Sequence, residues 1–198
     1  MEEFKEEVEN LAKEKLNPPP AHAYVFYGSS SFRLWETLSK DIPEHQCLNI
    51  GFGGSQIADC SFYFDKLLGK TNPDRILFYA GDNDVAAEVS AAEILERFKV
   101  LLSKVDQYFP TTPFTFLSIK PSPIRREKLR IIQETNRLIK AFLEGKEQRY
   151  YLDIHSPMLK NGEVRPGLFT EDELHMNADG YALWTRLVRE HLGLSHTD

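Results

Sequence analysis

Short apolar runs alternate with longer amphipathic segments along most of the chain. The runs are rich in aromatic and β-branched residues, which is typical of buried strands. They cover residues 23–27, 47–50, 75–80, 114–119 and 150–154. The segments between them repeat apolar residues every three or four positions, which indicates helices with one face on the core. The clearest of these helices are predicted at 94–108, 131–143 and about 178–192.

This alternation predicts the fold class. Strands that are apolar at nearly every position suit a parallel sheet whose two faces are both covered. Helices between successive strands supply that cover. We therefore expect an α/β fold, a three-layer α/β/α sandwich with a five-stranded parallel sheet. In such folds ligands bind beyond the carboxyl ends of the strands.

The first 20 residues follow a different pattern. Acidic residues and lysines alternate over residues 2–16 around a thin apolar stripe, which predicts a charged helix. Three prolines at positions 18–20 end it, because proline lacks the N–H that a helix needs. We expect an N-terminal arm and linker at 1–20 and one domain at 21–198. The arm is expected to pack on the body of the domain or on a second copy, as a homodimer.

Composition and charge narrow the function classes. The 198 residues are 41% hydrophobic and 27% charged, which is ordinary for a soluble globular protein. A net charge of −6 argues against a nucleic-acid partner, because no basic stripe is present to offset phosphate repulsion. The chain shows neither a signal peptide nor an apolar stretch that could cross a bilayer, so a cytoplasmic protein is expected. Cys47 and Cys60 imply neither a disulfide framework nor a zinc cluster.

Three serines follow the first predicted strand. Gly28 ends that strand, and Ser29, Ser30 and Ser31 precede a stretch with helical spacing at 31–38. Backbone N–H groups are unpaired at a helix start, and the helix dipole is positive there. A serine nucleophile at this turn would have support for a developing negative charge. The alternative is that these serines only cap the helix.

Polar and glycine-rich segments also follow the other strands. Taken singly, glycines of this kind form turns, and Asn and Asp cap helices. Together they are expected to meet at one edge of the sheet, because parallel strands end on the same side. The segments are Gly51-Phe52-Gly53-Gly54-Ser55, Gly81-Asp82-Asn83-Asp84, Lys120-Pro121-Ser122-Pro123, His155-Ser156-Pro157 and Asp172-Glu173-Leu174-His175-Met176-Asn177.

Four short blocks of the chain, one at the serines and three in the other segments, resemble in their order the blocks of the SGNH hydrolases, the superfamily of GDSL-type esterases and lipases. The likeness is strongest to small bacterial acylhydrolases and runs from about Tyr24 to Leu192. The Gly-x-Asn-Asp and Asp-x-x-His blocks are its specific part. One position departs from the family, because Ser29 stands where an Asp usually precedes the nucleophile. The blocks are Gly28-Ser29-Ser30, Gly54, Gly81-Asp82-Asn83-Asp84 and Asp172-Glu173-Leu174-His175.

The resemblance implies a role for each matching residue. Ser30 matches the nucleophile, His175 the general base, and Asp172 the carboxylate that orients the base. Gly54 and Asn83 match the oxyanion-hole donors, together with the N–H of Ser30. The residues agree with these roles, since Asp172 and His175 are three apart and share a face on a helical turn. This chemistry needs no metal or cofactor, and the Gly-x-Ser-x-Gly elbow of α/β-hydrolases is absent.

Two alternatives concern individual residues. His155 also follows a strand and could be the base, with Asp153 as its partner. Lys120, Arg125 and Arg126 follow the fourth strand, where they could contact an anionic part of the substrate or simply carry surface charge.

Three functions remain open from the sequence. The first is a serine ester hydrolase that acts on acyl esters such as acetylated sugars, short-chain esters, lysophospholipids or thioesters, as the resemblance implies. The second uses Asp82, Asp84 and Asp74 as a hard-cation site for phosphoester cleavage. The third is a non-catalytic ligand-binding module on the same fold.

Overall fold

The computed structural model describes residues 2–195 and contains a central sheet of five parallel strands. Each strand overlaps one of the predicted runs. The strands are β1 (Ala21–Gly28), β2 (Cys47–Gly51), β3 (Asn72–Tyr79), β4 (Phe114–Leu117) and β5 (Arg149–Leu152). Their order across the sheet is β2-β1-β3-β4-β5. Residue 1 and residues 196–198, the ends of the predicted arm and domain, lie outside the described residues.

Helices cover both faces of this sheet, so the predicted three-layer α/β/α sandwich is confirmed. The helices are α1 (Lys5–Lys15), α2 (Ser30–Arg33), α3 (Leu38–Asp41), α4 (Ile57–Tyr63), α5 (Asp82–Ala86), α6 (Ala91–Tyr108), α7 (Leu129–Leu143) and α8 (Ala178–Leu192). Buried residues of α1, α4, α6 and α7 form one core cluster, and those of α2, α3 and α8 form the other. Along β1, Val25 and Tyr27 belong to the first cluster and Phe26 to the second, as the alternation of a strand requires.

The helix predicted at 31–38 is instead two single turns, α2 and α3, separated by a bend. Phe32, Trp35 and Leu38 are buried as expected, and Trp35 is 1% exposed. The bend is held by Asp41, whose carboxylate accepts hydrogen bonds from the indole N–H of Trp35 and the hydroxyl of Thr37, both at 2.6 Å. The helix after Ser29 is therefore only four residues long. Its dipole is small, although its first N–H groups remain available.

The N-terminal arm packs on the body of its own chain, which was one of the two expected arrangements. A 3₁₀ turn at Glu2–Phe4 leads into α1. Val8 is fully buried in the larger core cluster, and Phe4, Leu11 and Ala12 pack against that cluster. Within residues 2–195, no helix is long and apolar enough to cross a bilayer.

Candidate active site

The edge of the sheet where β1, β2 and β3 end carries the predicted nucleophile. The last residue of β1, Gly28, pairs with Gly51 of β2 on one side and with Tyr79 of β3 on the other. Its φ is +144°, and a Cβ at this position would collide with the carbonyl oxygen of Tyr79. Only glycine fits such a close approach. Ser30, two residues later, thus lies between the ends of the two neighbouring strands.

Backbone hydrogen bonds hold the serine turn in place. The amide of Ser29 donates to Tyr79 at 2.9 Å, and the carbonyl of Ser29 accepts from Phe32 at 3.0 Å. These contacts anchor the loop although Ser29 replaces the acidic residue of the family pattern. Ser30 itself is 8% exposed, so its hydroxyl is largely shielded from water.

Ser30, His175 and Asp172 form a continuous hydrogen-bonded row. The Oγ of Ser30 lies 3.1 Å from Nε2 of His175, a residue 145 positions later in the chain. The Nδ1 of His175 lies 2.6 Å from Oδ2 of Asp172. A carboxylate at Nδ1 favours the tautomer with its proton there, which leaves Nε2 as an acceptor facing the hydroxyl. The structure brings together the three residues that the sequence singled out.

The loop that carries the histidine is not the helical turn that we expected from the spacing. Glu173 has a φ of +58°, and the segment is an irregular turn before α8. Asp172 builds this turn itself, because its Oδ1 accepts from the amides of Leu174 and His175, both at 2.9 Å, and from the hydroxyl of Thr170 at 2.7 Å. One oxygen of Asp172 therefore shapes the loop while the other holds the imidazole.

The same contacts decide the ionisation of Asp172. Partial burial acts to raise its pKa, but hydrogen bonds from His175, the Leu174 amide and the Thr170 hydroxyl outweigh it. The pKa of this carboxyl is held well below its usual range. Asp172 is therefore a carboxylate throughout the pH range in which a histidine base operates.

Gly54 and Asn83, the expected oxyanion-hole donors, lie side by side. A Cβ placed on Gly54 would be 3.6 Å from Oδ1 of Asn83. Asn83 belongs to the first turn of α5, and its side-chain amide donates to the carbonyl of Ser55 at 3.2 Å. Asp84, fully buried, joins the two loops, since its carboxylate accepts from the amide of Ile57 at 3.0 Å. This carboxylate fixes the distance between the two donor loops.

The alternative base His155 takes part in a different contact. Its Nδ1 lies 3.0 Å from the carbonyl of Ile119, and the ring is buried. Asp153 instead accepts from the amide of Ser156 at 3.0 Å. The Asp153–His155 pair proposed as an alternative therefore does not form a hydrogen-bonded base.

Lys120 and Arg125 do not face solvent as free cations. Lys120 is fully buried, and its Nζ lies 2.9 Å from Oδ2 of Asp82. Arg125 approaches the other oxygen of Asp82 at 3.3 Å. Both cations instead bind the carboxylate of Asp82, the first residue of α5. Arg126 lines a separate groove with Glu163.

The hard-cation site does not assemble either. Asp82 is bound by Lys120 and Arg125, Asp84 by Arg97 at 2.9 Å, and Asp74 contacts His22 at 2.9 Å near the opposite end of β3. Among residues 2–195, no group of three or more His, Cys, Asp or Glu side chains is arranged to hold a metal. The carboxylates bind cationic side chains of the protein.

Two contributors to the site were missed from the sequence. Arg97 of α6 donates to Asp84 at 2.9 Å and to Gln56 at 2.7 Å, and these contacts support both donor loops. Tyr181 of α8 donates to the carbonyl of Ser31 at 2.9 Å and links the helix after the histidine to the serine turn. Neither residue lies in a motif. The sequence pattern indicates only that each belongs to an amphipathic helix.

Several solved structures of known proteins resemble the fold of this chain. A GDSL-like lipase from Bacteroides thetaiotaomicron has a TM-score of 0.78 and 19% identity, covering 96% of this chain and 97% of that one. An acetyl-xylooligosaccharide esterase from Geobacillus has a TM-score of 0.71 at 14% identity, over 89% and 96%. A family 3 carbohydrate esterase from Clostridium thermocellum has a TM-score of 0.67 at 14% identity, over 86% and 94%. These likenesses show the fold.

The sequence pattern of a family gives the more specific result. No curated protein matches the chain significantly. The pattern of the GDSL-like Lipase/Acylhydrolase family, however, matches residues 23–183. This range includes most of β1, all of β2 to β5, and Ser30, Asp172 and His175. The chain therefore belongs to the GDSL-like lipase/acylhydrolase family, the SGNH hydrolases.

Proposed function

We propose that this protein is a serine ester hydrolase with Ser30 as nucleophile, His175 as general base and Asp172 as the orienting carboxylate. The observation that carries the proposal is the row of contacts, 3.1 Å from Ser30 Oγ to His175 Nε2 and 2.6 Å from His175 Nδ1 to Asp172. A serine hydroxyl is a weak nucleophile until a base at hydrogen-bond distance takes its proton. The family supports the same reaction class.

The reaction follows from these positions. As Ser30 Oγ bonds to the carbonyl carbon of an ester, its proton passes to Nε2 of His175. Asp172 stabilises the imidazolium that forms. When the tetrahedral intermediate collapses, the C–O bond to the alcohol breaks and the alcohol leaves with the proton from Nε2. A water molecule, deprotonated by the same nitrogen, then releases the acyl group from Ser30.

Three donors are available for the oxyanion. They are the N–H of Ser30 at the start of α2, the N–H of Gly54, and the side-chain amide of Asn83. Asn83 uses one N–H toward Ser55 and has a second to offer. Each such donor typically contributes about 10²–10³ in turnover.

We further propose that the substrate is a short acyl ester of a polar alcohol, such as an acetylated sugar. A cavity of about 290 Å³ borders the Gly54 loop, and its wall is mostly polar. The lining residues are Glu3, Phe4, Gly54, Gln56, Ala58, Asp59 and Arg97. The carboxylate, amide and guanidinium groups of this wall already bind partners within the protein, as Arg97 does with Gln56 and Asp84. They nevertheless give the cavity a polar surface, which suits the hydroxyl groups of a substrate better than an alkyl chain. Two structural neighbours, described as acetyl-xylooligosaccharide and carbohydrate esterases, support this choice.

Hydrolysis of aryl esters of graded acyl length tests both proposals. The wild type is expected to cleave the acetate fastest and to lose kcat/KM steadily with chain length. Ser30→Ala should lose at least about 10³ of the activity and all labelling by a fluorophosphonate, because the nucleophile is gone. Full activity in Ser30→Ala would refute the nucleophile, and a preference for decanoate would refute the substrate class. A folded wild type that is neither active nor labelled would favour the non-catalytic binding module.

A further inference from the structure

The N-terminal arm contacts the loop that carries the oxyanion donor. The amide of Gly53 donates to Oε1 of Glu7 in α1 at 2.9 Å. Gly53 directly precedes Gly54, whose N–H is the proposed donor. A side chain of the N-terminal arm thus accepts from the peptide group that precedes the one carrying the proposed donor.

The same carboxylate also approaches the serine turn. Oε1 of Glu7 lies 3.7 Å from Nε of Arg33, the last residue of the four-residue helix that begins with Ser30. Both side chains are partly exposed, at 36% and 47%, so this ion pair alone is weak. Its importance is positional, because Glu7 lies between the nucleophile helix and the donor loop.

Apolar contacts fix the arm so that Glu7 stays in this position. The ring of Phe4 covers Gly53 so closely that a Cβ on Gly53 would collide with it. Phe4 also meets Phe52 edge-on, with 5.6 Å between ring centroids. Val8, the next residue after Glu7, is fully buried. The helix that carries Glu7 is therefore anchored on both sides of it.

The donor loop itself needs such support. Three of its four residues at 51–54 are glycines, which lose more backbone freedom than other residues when they are ordered. Phe52 is held by the carbonyl of Gly28 at 3.0 Å and Ser55 by the carbonyl of Phe52 at 3.1 Å. Between these two anchors, Glu7 holds the amide of Gly53 from the outside.

We propose that Glu7 is a positioning residue that orients the Gly54 donor toward the oxyanion, so that the N-terminal arm is part of the active site. This inference rests on the proposed function. Preorganised donors stabilise the transition state because they need no reorientation as charge develops. A loop released from Glu7 would still bind the ester but would align its N–H less well.

Steady-state kinetics of Glu7→Ala, Glu7→Gln and Glu9→Ala on an aryl acetate test this. Glu9 is the matched control, because it lies on the same helix, is 54% exposed and contacts Lys66 at 3.8 Å, away from the loop. In Glu7→Ala we expect kcat to fall about 10- to 100-fold with little change in KM. Glu7→Gln keeps a carbonyl oxygen for Gly53 and should recover most of the loss. Glu9→Ala should match the wild type.

A second measurement does not depend on activity. Amide hydrogen exchange at Gly53 and Gly54 should be faster in Glu7→Ala than in Glu9→Ala, with equal melting temperatures. Should Glu7→Ala fail to fold, Glu7→Asp, whose shorter side chain cannot reach Gly53, replaces it in both measurements. Wild-type kcat, a loss confined to KM, or unchanged exchange would each overturn the inference. If the wild type and Glu9→Ala show no Ser30-dependent hydrolysis, the proposed function fails instead, and exchange alone then decides the contact.

Discussion

Asp172 combines two tasks that a single substitution can separate. One oxygen closes the loop and the other holds Nδ1 of His175 at 2.6 Å. Asparagine at this position can keep the first task through its carbonyl. Its NH₂ group would face Nδ1, which forces the ring proton onto Nε2 and removes the acceptor for the Ser30 proton. We predict that Asp172→Asn lowers kcat about 10⁴-fold. Aryl-ester kinetics and thermal melting of the purified variant measure both effects.

The neighbouring Glu171 provides the control for this substitution. It is exposed and adjacent in the chain, so Glu171→Gln removes the same charge without touching the imidazole. We expect Glu171→Gln to keep wild-type kcat. If Asp172→Asn were less than tenfold impaired, the carboxylate would not be setting the tautomer, and its role would be confined to the loop.

At the scale of single residues, the sequence predicted which residues form the candidate site better than it predicted the backbone conformation around them. Ser30, His175 and Asp172 were singled out by type and order, and they meet as expected. The spacing of Asp172 and His175 predicted a helical turn, but Glu173 adopts a positive φ. A glutamate carries no local signal for that conformation, because it arises from the hydrogen bonds that Asp172 makes to its own loop.

The first turn of α5 depends on a buried ion pair. Asp82, the first residue of this helix, is 5% exposed and binds the fully buried Lys120 from the loop after β4. Lys120→Met would leave the carboxylate buried with only Arg125 beside it. We predict a loss of about 3 kcal/mol in the free energy of unfolding, at the low end for a broken buried pair because Arg125 remains. Urea denaturation measures it.

Lys128 provides the control for this substitution, because it forms an ion pair at the surface. Its Nζ lies 3.5 Å from Glu88, which is 85% exposed, so Lys128→Met should cost less than about 1 kcal/mol. Equal losses in the two variants would mean that burial of the Lys120–Asp82 pair has no energetic consequence, contrary to this prediction.

At the scale of elements, regular periodicity was informative and short turns were not. The apolar spacing found all five strands and the long helices α6, α7 and α8. The same spacing predicted one helix at 31–38, because Phe32, Trp35 and Leu38 keep helical spacing even though the chain bends between them. A hairpin of β6 (Leu159–Lys160) and β7 (Glu163–Val164) was not predicted. Its signal is Asn161-Gly162, both at positive φ, a dipeptide that favours tight hairpin turns.

For the whole molecule, the parallel topology explains why scattered segments form one site. Ser30 and His175 are 145 positions apart yet lie 3.1 Å from each other, because the turn before α8 brings His175 to the edge of the sheet where β1 ends and Ser30 follows it. This rule predicted which loops converge. It could not predict that the arm joins them, since Glu7 is one of many acidic residues in residues 2–14 and nothing in the sequence marks the one that contacts Gly53.

Two histidines outside the site couple the stability of the molecule to pH. His155 is buried, and burial lowers its pKa, although a bond to the Ile119 carbonyl and Asp153 partly offset this. Burial and the nearby Arg75 lower the pKa of His191, which also contacts the hydroxyl of Thr115 at 2.9 Å. Each histidine therefore binds a proton more readily in the unfolded chain than in the folded one.

The sign of the effect follows from linkage between proton binding and folding. Above the ordinary histidine pKa of 6.5 both states are neutral and stability is at its full value. As the pH falls below that value, the unfolded chain takes up protons that the folded chain resists, and the free energy of unfolding decreases. Asp172 adds little in this window, because the stability that its depressed pKa contributes is lost only as the pH falls toward and below the ordinary aspartate pKa of 3.8. We predict that the free energy of unfolding, measured in urea, declines between pH 7 and pH 5. In the double variant His155→Gln, His191→Gln, the free energy of unfolding should change less steeply with pH, whatever its absolute value. Parallel slopes for the wild type and the double variant would show that other groups control the acid sensitivity of the fold.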